Sequence, residues 1–143
     1  AMKGFWVQRK EVVNTNAVFA GKARVVTTYT VAISNGWNML NWPFKTDRAE
    51  NAGWNTVDVG WGFKKCGGVG NTDSAQADTI MVVINNTWKR YYLLDGIVSD
   101  ATANGRWWDY VKGGYSDYTM QAGQGFYYYH RGSGFTWTNS YGP

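Results

Sequence analysis

GQGFYYYHRGSGFTW, residues 123–137, sets three consecutive tyrosines between glycines and follows them with the single histidine of the chain. In a strand, successive side chains leave on opposite faces. Phe126, Tyr128 and His130 therefore share one side, and Tyr127, Tyr129 and Arg131 share the other. Both sides are rich in rings. One side suits a core, and the other has to be covered by a neighbour or kept for something flat that arrives from solution.

On either side, β-prone or alternating runs recur at 5–13, 23–34, 37–44, 79–84, 88–94, 106–111, 118–121 and 126–130. Turn signals separate them, including Asn35-Gly36, Asn85-Asn86, Asp95-Gly96, Asn104-Gly105 and Gly113-Gly114. In 24–33, Val25, Thr27, Tyr29, Val31 and Ile33 share one parity, which predicts a long strand with that side inward. Asn85-Asn86 joins TIMVVI to TWKRYYLL as a hairpin, since asparagine tolerates positive φ. Residues 45–78 carry few strand signals and much Gly, Asn, Thr and Asp, which predicts a long irregular loop. Helix signals are thin, with Ser74 to Asp78 offering at most one turn. The pattern is all-β: an antiparallel β-sandwich, with a closed barrel or a β-trefoil-like arrangement as the alternative.

With 143 residues the chain is sized for one domain, 1–143, whose Ala1-Met2 reads as a cloning remnant. Charged residues make up 17%, against about 25% in typical domains. Aromatic residues also make up 17%, so rings carry much of the core and much of any recognition. Fourteen Lys or Arg face ten Asp or Glu, scattered with no polybasic run, which suits weak steering of anions rather than a phosphate-tracking groove. One cysteine, Cys66, excludes an intramolecular disulfide and any multi-cysteine metal site. No apolar stretch is long enough to span a membrane, and no signal peptide is visible.

Catalytic signatures are absent. A lone His130 builds neither a typical zinc site nor a recognisable triad, and reads as structural or ligand-contacting. A glycosidase needs two facing carboxylates, but the candidates Asp58, Asp73, Asp78, Asp95, Asp109 and Asp117 mostly sit in turn-like surroundings. The loop GNTDSAQAD, residues 70–78, offers Asn71, Asp73 and Asp78 to a calcium ion, without EF-hand spacing; a plain polar loop explains it as well. No cofactor, metal or catalytic residue is expected.

Rings bind sugars because the C–H face of a pyranose is apolar and slightly positive, matching the negative face of an indole or phenol. Trp37, Trp42 and Phe44 in GWNMLNWPF, and Trp6, Trp88 and Trp137 in strand-like runs, read as core. Trp54 and Trp61 fall in the long loop among glycines and read as surface. GRWWDYVKGGYSDY, residues 105–118, is the densest constellation. Trp107 and Trp108 must point to opposite faces, Tyr110 shares parity with Trp108, and Tyr115 extends the group. Arg106, Asp109 and Gln124 supply hydrogen bonds beside the rings. Single-stranded nucleic acid also stacks on rings, but the basic residues are not interleaved with them, and no nucleic acid or membrane partner is expected.

Two further features bear on setting. Gly4-Phe5-Trp6 to Lys10 echoes Gly125-Phe126-Tyr127 to Arg131, through internal pseudo-symmetry, a tandem array, or chance. NGWNMLNWPF, ADTIMVV, WKRYYLLDG and QAGQGFYYYHRGSGFTW resemble the recurring motifs of uncharacterised all-β modules in large secreted bacterial proteins. The resemblance covers roughly 29–137 and implies an extracellular or cell-surface setting, as part of a larger secreted protein. In ring content the chain is also similar to carbohydrate-binding modules. The expectation is a non-catalytic module that recognises a polysaccharide through surface rings; the alternative is a structural or adhesive surface domain making protein–protein contacts.

Overall fold

The computed structural model describes residues 28–42, 48–49, 62–121 and 123–140. In chain order these hold β1 (Thr28–Ile33), β2 (Gly36–Asn41), β3 (Arg48–Ala49), α1 (Phe63–Cys66), β4 (Thr79–Ile84) and β5 (Thr87–Leu93). A 3-10 turn at Ala101–Ala103 follows, then β6 (Trp107–Asp109), β7 (Gly114–Tyr115), β8 (Thr119–Met120), β9 (Gly125–His130) and β10 (Phe135–Ser140). All pairings among the described residues are antiparallel. One sheet has six strands in the order β2-β9-β4-β5-β6-β7, β1 pairs with β10, and β3 pairs with β8. The six-stranded sheet is open, with β2 and β7 at its ends, so the fold is a sandwich and not a closed barrel.

Side-chain alternation sets which face is buried. In β1, Tyr29 and Ile33 are buried while Thr28, Thr30 and Ala32 are exposed, as the parity of the sequence predicts. In β10 Trp137 and Asn139 are buried and Thr136 and Thr138 exposed. In β9 the inward set is Phe126, Tyr128 and His130. Between the sheets Phe63 of α1 stacks on Trp137 at 4.5 Å, lies 4.3 Å from Tyr128 and meets the edge of Trp107 at 5.9 Å. One fully buried phenyl thus joins both layers, worth about 1.5–3 kcal/mol of apolar burial. Helix signals around α1 are weak in the sequence. Its place comes from Phe63 filling this gap, since four residues make no stable helix alone.

Within the long segment expected to be irregular, β3 and α1 are regular and 67–78 is a run of bends and turns. Asn71 Oδ1 accepts from Asp73 N at 2.9 Å and Asp73 Oδ1 from Ala75 N at 2.8 Å, local turns of the kind these side chains favour. The Asn85-Asn86 hairpin is present, with φ of 49° and 58°, the pairing of left-handed residues that suits the twist of a two-residue loop.

Asn35-Gly36 turns the chain from one sheet to the other. β1 and β2 separate here, as β9 and β10 do around Gly132, so one antiparallel ribbon folds across both layers. Gly36 has φ 85°, open to glycine and costly for a residue with a side chain. Asn38 clamps the corner, accepting from Ser34 N at 2.9 Å and donating to Ser34 O at 2.8 Å, and Asn35 Nδ2 donates to Gly132 O at 2.9 Å. The Gly-Trp-Asn motif therefore has three jobs, a turn, an outward ring and a clamp.

Candidate functional site

On the large sheet, parity sends one residue set to the core, and register aligns the other set across the strands. Trp37 of β2 lies opposite Tyr129 of β9, which lies opposite Thr79 of β4. Thr79 is paired with Tyr92 of β5, Tyr92 with Trp108 of β6, and Trp108 with Tyr115 of β7. Five of these six positions carry rings. At a strand spacing of about 4.8 Å the row runs for about 24 Å. A second row, Met39, Tyr127, Met81 and Arg90, lies beside it and ends with Tyr110, whose ring centre is 5.2 Å from the Arg90 guanidinium.

Exposure shows which rings reach solvent: Trp37 is 58% exposed, Tyr110 55% and Trp88 44%. Neighbouring rings meet at an angle rather than face to face. Trp37 lies 4.9 Å from Tyr129 and 6.1 Å from Tyr127, Trp88 5.9 Å from Tyr127, and Trp108 5.4 Å from Tyr115. Each edge contact contributes about 0.5–1.5 kcal/mol and fixes orientation without covering both faces of a ring. Trp37, Thr79, Met81, Arg90, Tyr129 and Arg131 line a groove of about 190 Å³ on this surface. Small-molecule pockets span about 300–1,000 Å³, so the groove is sized for one unit of a longer ligand.

Of the residues singled out from the sequence, Trp108, Tyr110 and Tyr115 belong to this surface. Trp107 is fully buried on the opposite side of β6, so the Trp-Trp pair divides between core and surface as strand geometry requires. Arg106 is buried beneath Tyr115, its guanidinium carbon 3.6 Å from the ring centre. Burial holds that guanidinium below its ordinary value, while Tyr115 and Asp100 act to raise it. The Tyr115 hydroxyl donates to Asp100 Oδ2 at 3.2 Å, and burial, then Asp100, raises the phenol. Arg106 thus positions Tyr115 from below. Asp109 Oδ1 accepts from Val111 N and Lys112 N at 2.8 and 2.9 Å, capping the turn into β7. Gln124 Oε1 accepts from the Tyr118 hydroxyl and Gln121 N, away from the ring row. Trp54, Trp61, Trp6 and Phe44 lie outside the described residues, as does the first half of the internal echo.

Two readings of the sequence are corrected. Trp37 and Trp88, assigned there to the core, stand on the outer face, because Leu40 and Tyr91 hold the inward positions of their strands. Trp42 and Trp137 are buried as expected. Arg90 carries no site role in the sequence reading, and Tyr127, Tyr129 and Arg131 are placed there only by the side of their strand. The signal that could have found them is the two-sided ring pattern of β9 itself.

Asp78 and His130 form the buried support behind this surface. Both are inaccessible to solvent. Asp78 Oδ2 accepts from Val69 N at 2.8 Å, from the Tyr128 hydroxyl and from His130 Nδ1 at 2.9 Å, while Oδ1 accepts from Arg131 N at 2.8 Å. His130 Nε2 donates to Ser133 O at 2.7 Å. His130 is buried among these partners, and both Asp78 oxygens accept from protein donors, while Asn71 and Asp73 accept from Asp73 N and Ala75 N in their own turns. Among the described residues no group of three or more potential metal ligands is present, and no helix is long and apolar enough to cross a membrane.

No family model, curated protein or solved structure matches the chain.

Proposed function

We propose that this is a non-catalytic carbohydrate-binding domain that holds a polysaccharide chain across the outer face of its six-stranded sheet. The observation that carries this reading is the cross-strand row Trp37, Tyr129, Tyr92, Trp108 and Tyr115. Rings repeated at strand spacing offer successive sugar units an apolar face, and flanking polar groups answer their hydroxyls. The described carboxylates support a binding role. Asp78 is buried, Asp73, Asp100 and Asp109 cap turns, and Asp95 and Asp117 pair with Lys64 and Lys112. None of them lines the groove.

Twist narrows the ligand. Strands rotate by about 20–25° per step, so the row turns through roughly 100° between β2 and β7. A single flexible chain can follow that path; the flat surface of a crystalline polysaccharide cannot. Affinity electrophoresis through soluble glucans, mannans and xylans tests the proposal. Retardation is expected in at least one gel and is expected to be lost in Trp37→Ala or Trp108→Ala with circular dichroism unchanged. Reducing sugar released from a retained polymer would instead make this an enzyme.

Met39 and Val83, 36% and 45% exposed beside the rings, favour a second reading. Aliphatic side chains suit a protein partner in a structural or adhesive array. Concentration-dependent self-association without retardation in any gel supports that alternative.

A further inference from the structure

The groove at the β2 end of the ring row carries two guanidinium groups, those of Arg90 and Arg131, and no carboxylate among its lining residues. Arg131 is held in place. Its Nε donates to Ala77 O at 2.8 Å and its guanidinium carbon lies 4.9 Å from the centre of the Tyr129 ring. Anchoring through Nε leaves the two terminal nitrogens of the fork for another acceptor. Arg90 rests over Tyr110 and makes no ion pair with any described carboxylate, nor does Arg131. Of the described carboxylates, Asp78 accepts from Arg131 N through Oδ1 and is taken up by its four donors, and Asp73 adds to the raising of the Tyr92 phenol after the effect of burial. Two like charges lining one partly desolvated groove, with no carboxylate among its lining residues, repel each other, and an anion between them lowers that cost.

We propose, building on the saccharide-binding reading above, that this groove takes a uronic acid unit of an acidic polysaccharide. The sugar ring packs against Trp37 and Tyr129 while its carboxylate meets Arg90 and Arg131. The chemistry favours a carboxylate because it is planar, as the guanidinium fork is, and two parallel N–H···O bonds can form between them. In a uronic acid that carboxylate projects from the edge of the ring, so stacking and charge pairing do not compete. Thr79 and Met81 form the remaining lining.

Methyl-esterification removes the charge and keeps the polymer, so polygalacturonate and its methyl ester make the decisive pair, with neutral galactan as a third probe. Dissociation constants are measured by affinity electrophoresis at low salt. Polygalacturonate is expected to bind about tenfold more tightly than its ester, the effect of one lost charged hydrogen-bond pair. Arg131→Gln and Arg90→Gln should each abolish that preference, while Lys64→Gln, on α1, should preserve it. Equal binding of acid and ester, a preference for the neutral polymer, or a preference that survives both arginine variants overturns this inference and leaves the broader reading standing. No retardation by any polysaccharide, including the glucans, mannans and xylans, overturns both. Two arginine positions are tested so that loss of the Arg131–Ala77 bond in one variant does not decide the outcome.

Discussion

Asp78 shows how much one buried side chain can organise. Its carboxylate receives two backbone N–H groups, a phenol and an imidazole, drawn from the 67–78 segment and from β9 and the corner after it. Asp78→Ala would leave those donors buried without an acceptor, and we expect a loss of about 3–5 kcal/mol, read as a lower urea midpoint. Tyr128 gives a separate prediction with a definite sign. Burial first, and Asp78 second, hold its phenol far above the ordinary value of 10.0. Tyr29 is also raised by burial. The folded state therefore keeps protons that the unfolded chain releases near pH 10. Their contribution is complete below that pH and falls as the pH rises above it, by about 1.4 kcal/mol per unit for each tyrosine. Urea midpoints measured between pH 9 and 11 should drop, with a shallower slope in Tyr128→Phe.

Single strands divide their residues between structure and recognition. In β6, Trp107 is fully buried and Trp108 half-buried beside Tyr115. Trp107→Ala should cost about 3–5 kcal/mol. Trp108→Ala should cost about 1 kcal/mol, the scale of one edge contact, and lose polysaccharide retardation. Thermal melts of the two variants, run beside the gels, check that separation. The β4–β5 hairpin makes its own prediction. Asn85 and Asn86 both sit in the left-handed region, so Asn86→Val should destabilise by about 1–2 kcal/mol in the same melts. Element type, the inward parity of β1 and the Asn85-Asn86 turn were legible because each depends on neighbours in sequence. The side of Trp37 was not. Its strand offers apolar residues on both parities, Trp37 and Met39 against Leu40 and Trp42, and local pattern cannot rank them.

For the whole molecule, the surface depends on strand order. Trp37, Tyr129 and Trp108 come from strands far apart in the chain, and they share a row because β9 inserts between β2 and β4. Parity within a segment was readable. Which segments lie side by side was not, since it follows from how the two layers close around Phe63, Trp107, Tyr128 and Trp137. This explains why Trp108, Tyr110 and Tyr115 stand out in the sequence as a local cluster while Trp37, on the same face of the sheet, reads there as core.

The folded ribbon that crosses both layers also governs when this protein can exist as a folded chain. Thr28 is registered with Ser140 and Ile33 with Phe135, so β1 has to wait for a partner more than a hundred residues downstream. On the ribosome the growing polypeptide must hold a tyrosine-rich, half-paired intermediate until synthesis has passed residue 140, exposed meanwhile to aggregation. Refolding of the complete chain is expected on the slow, millisecond-to-second side typical of long-range β pairing, as stopped-flow fluorescence would measure. A chain ended at residue 134 lacks Trp137 and should leave Phe63 without its stacking partner, read as weaker unfolding cooperativity in urea.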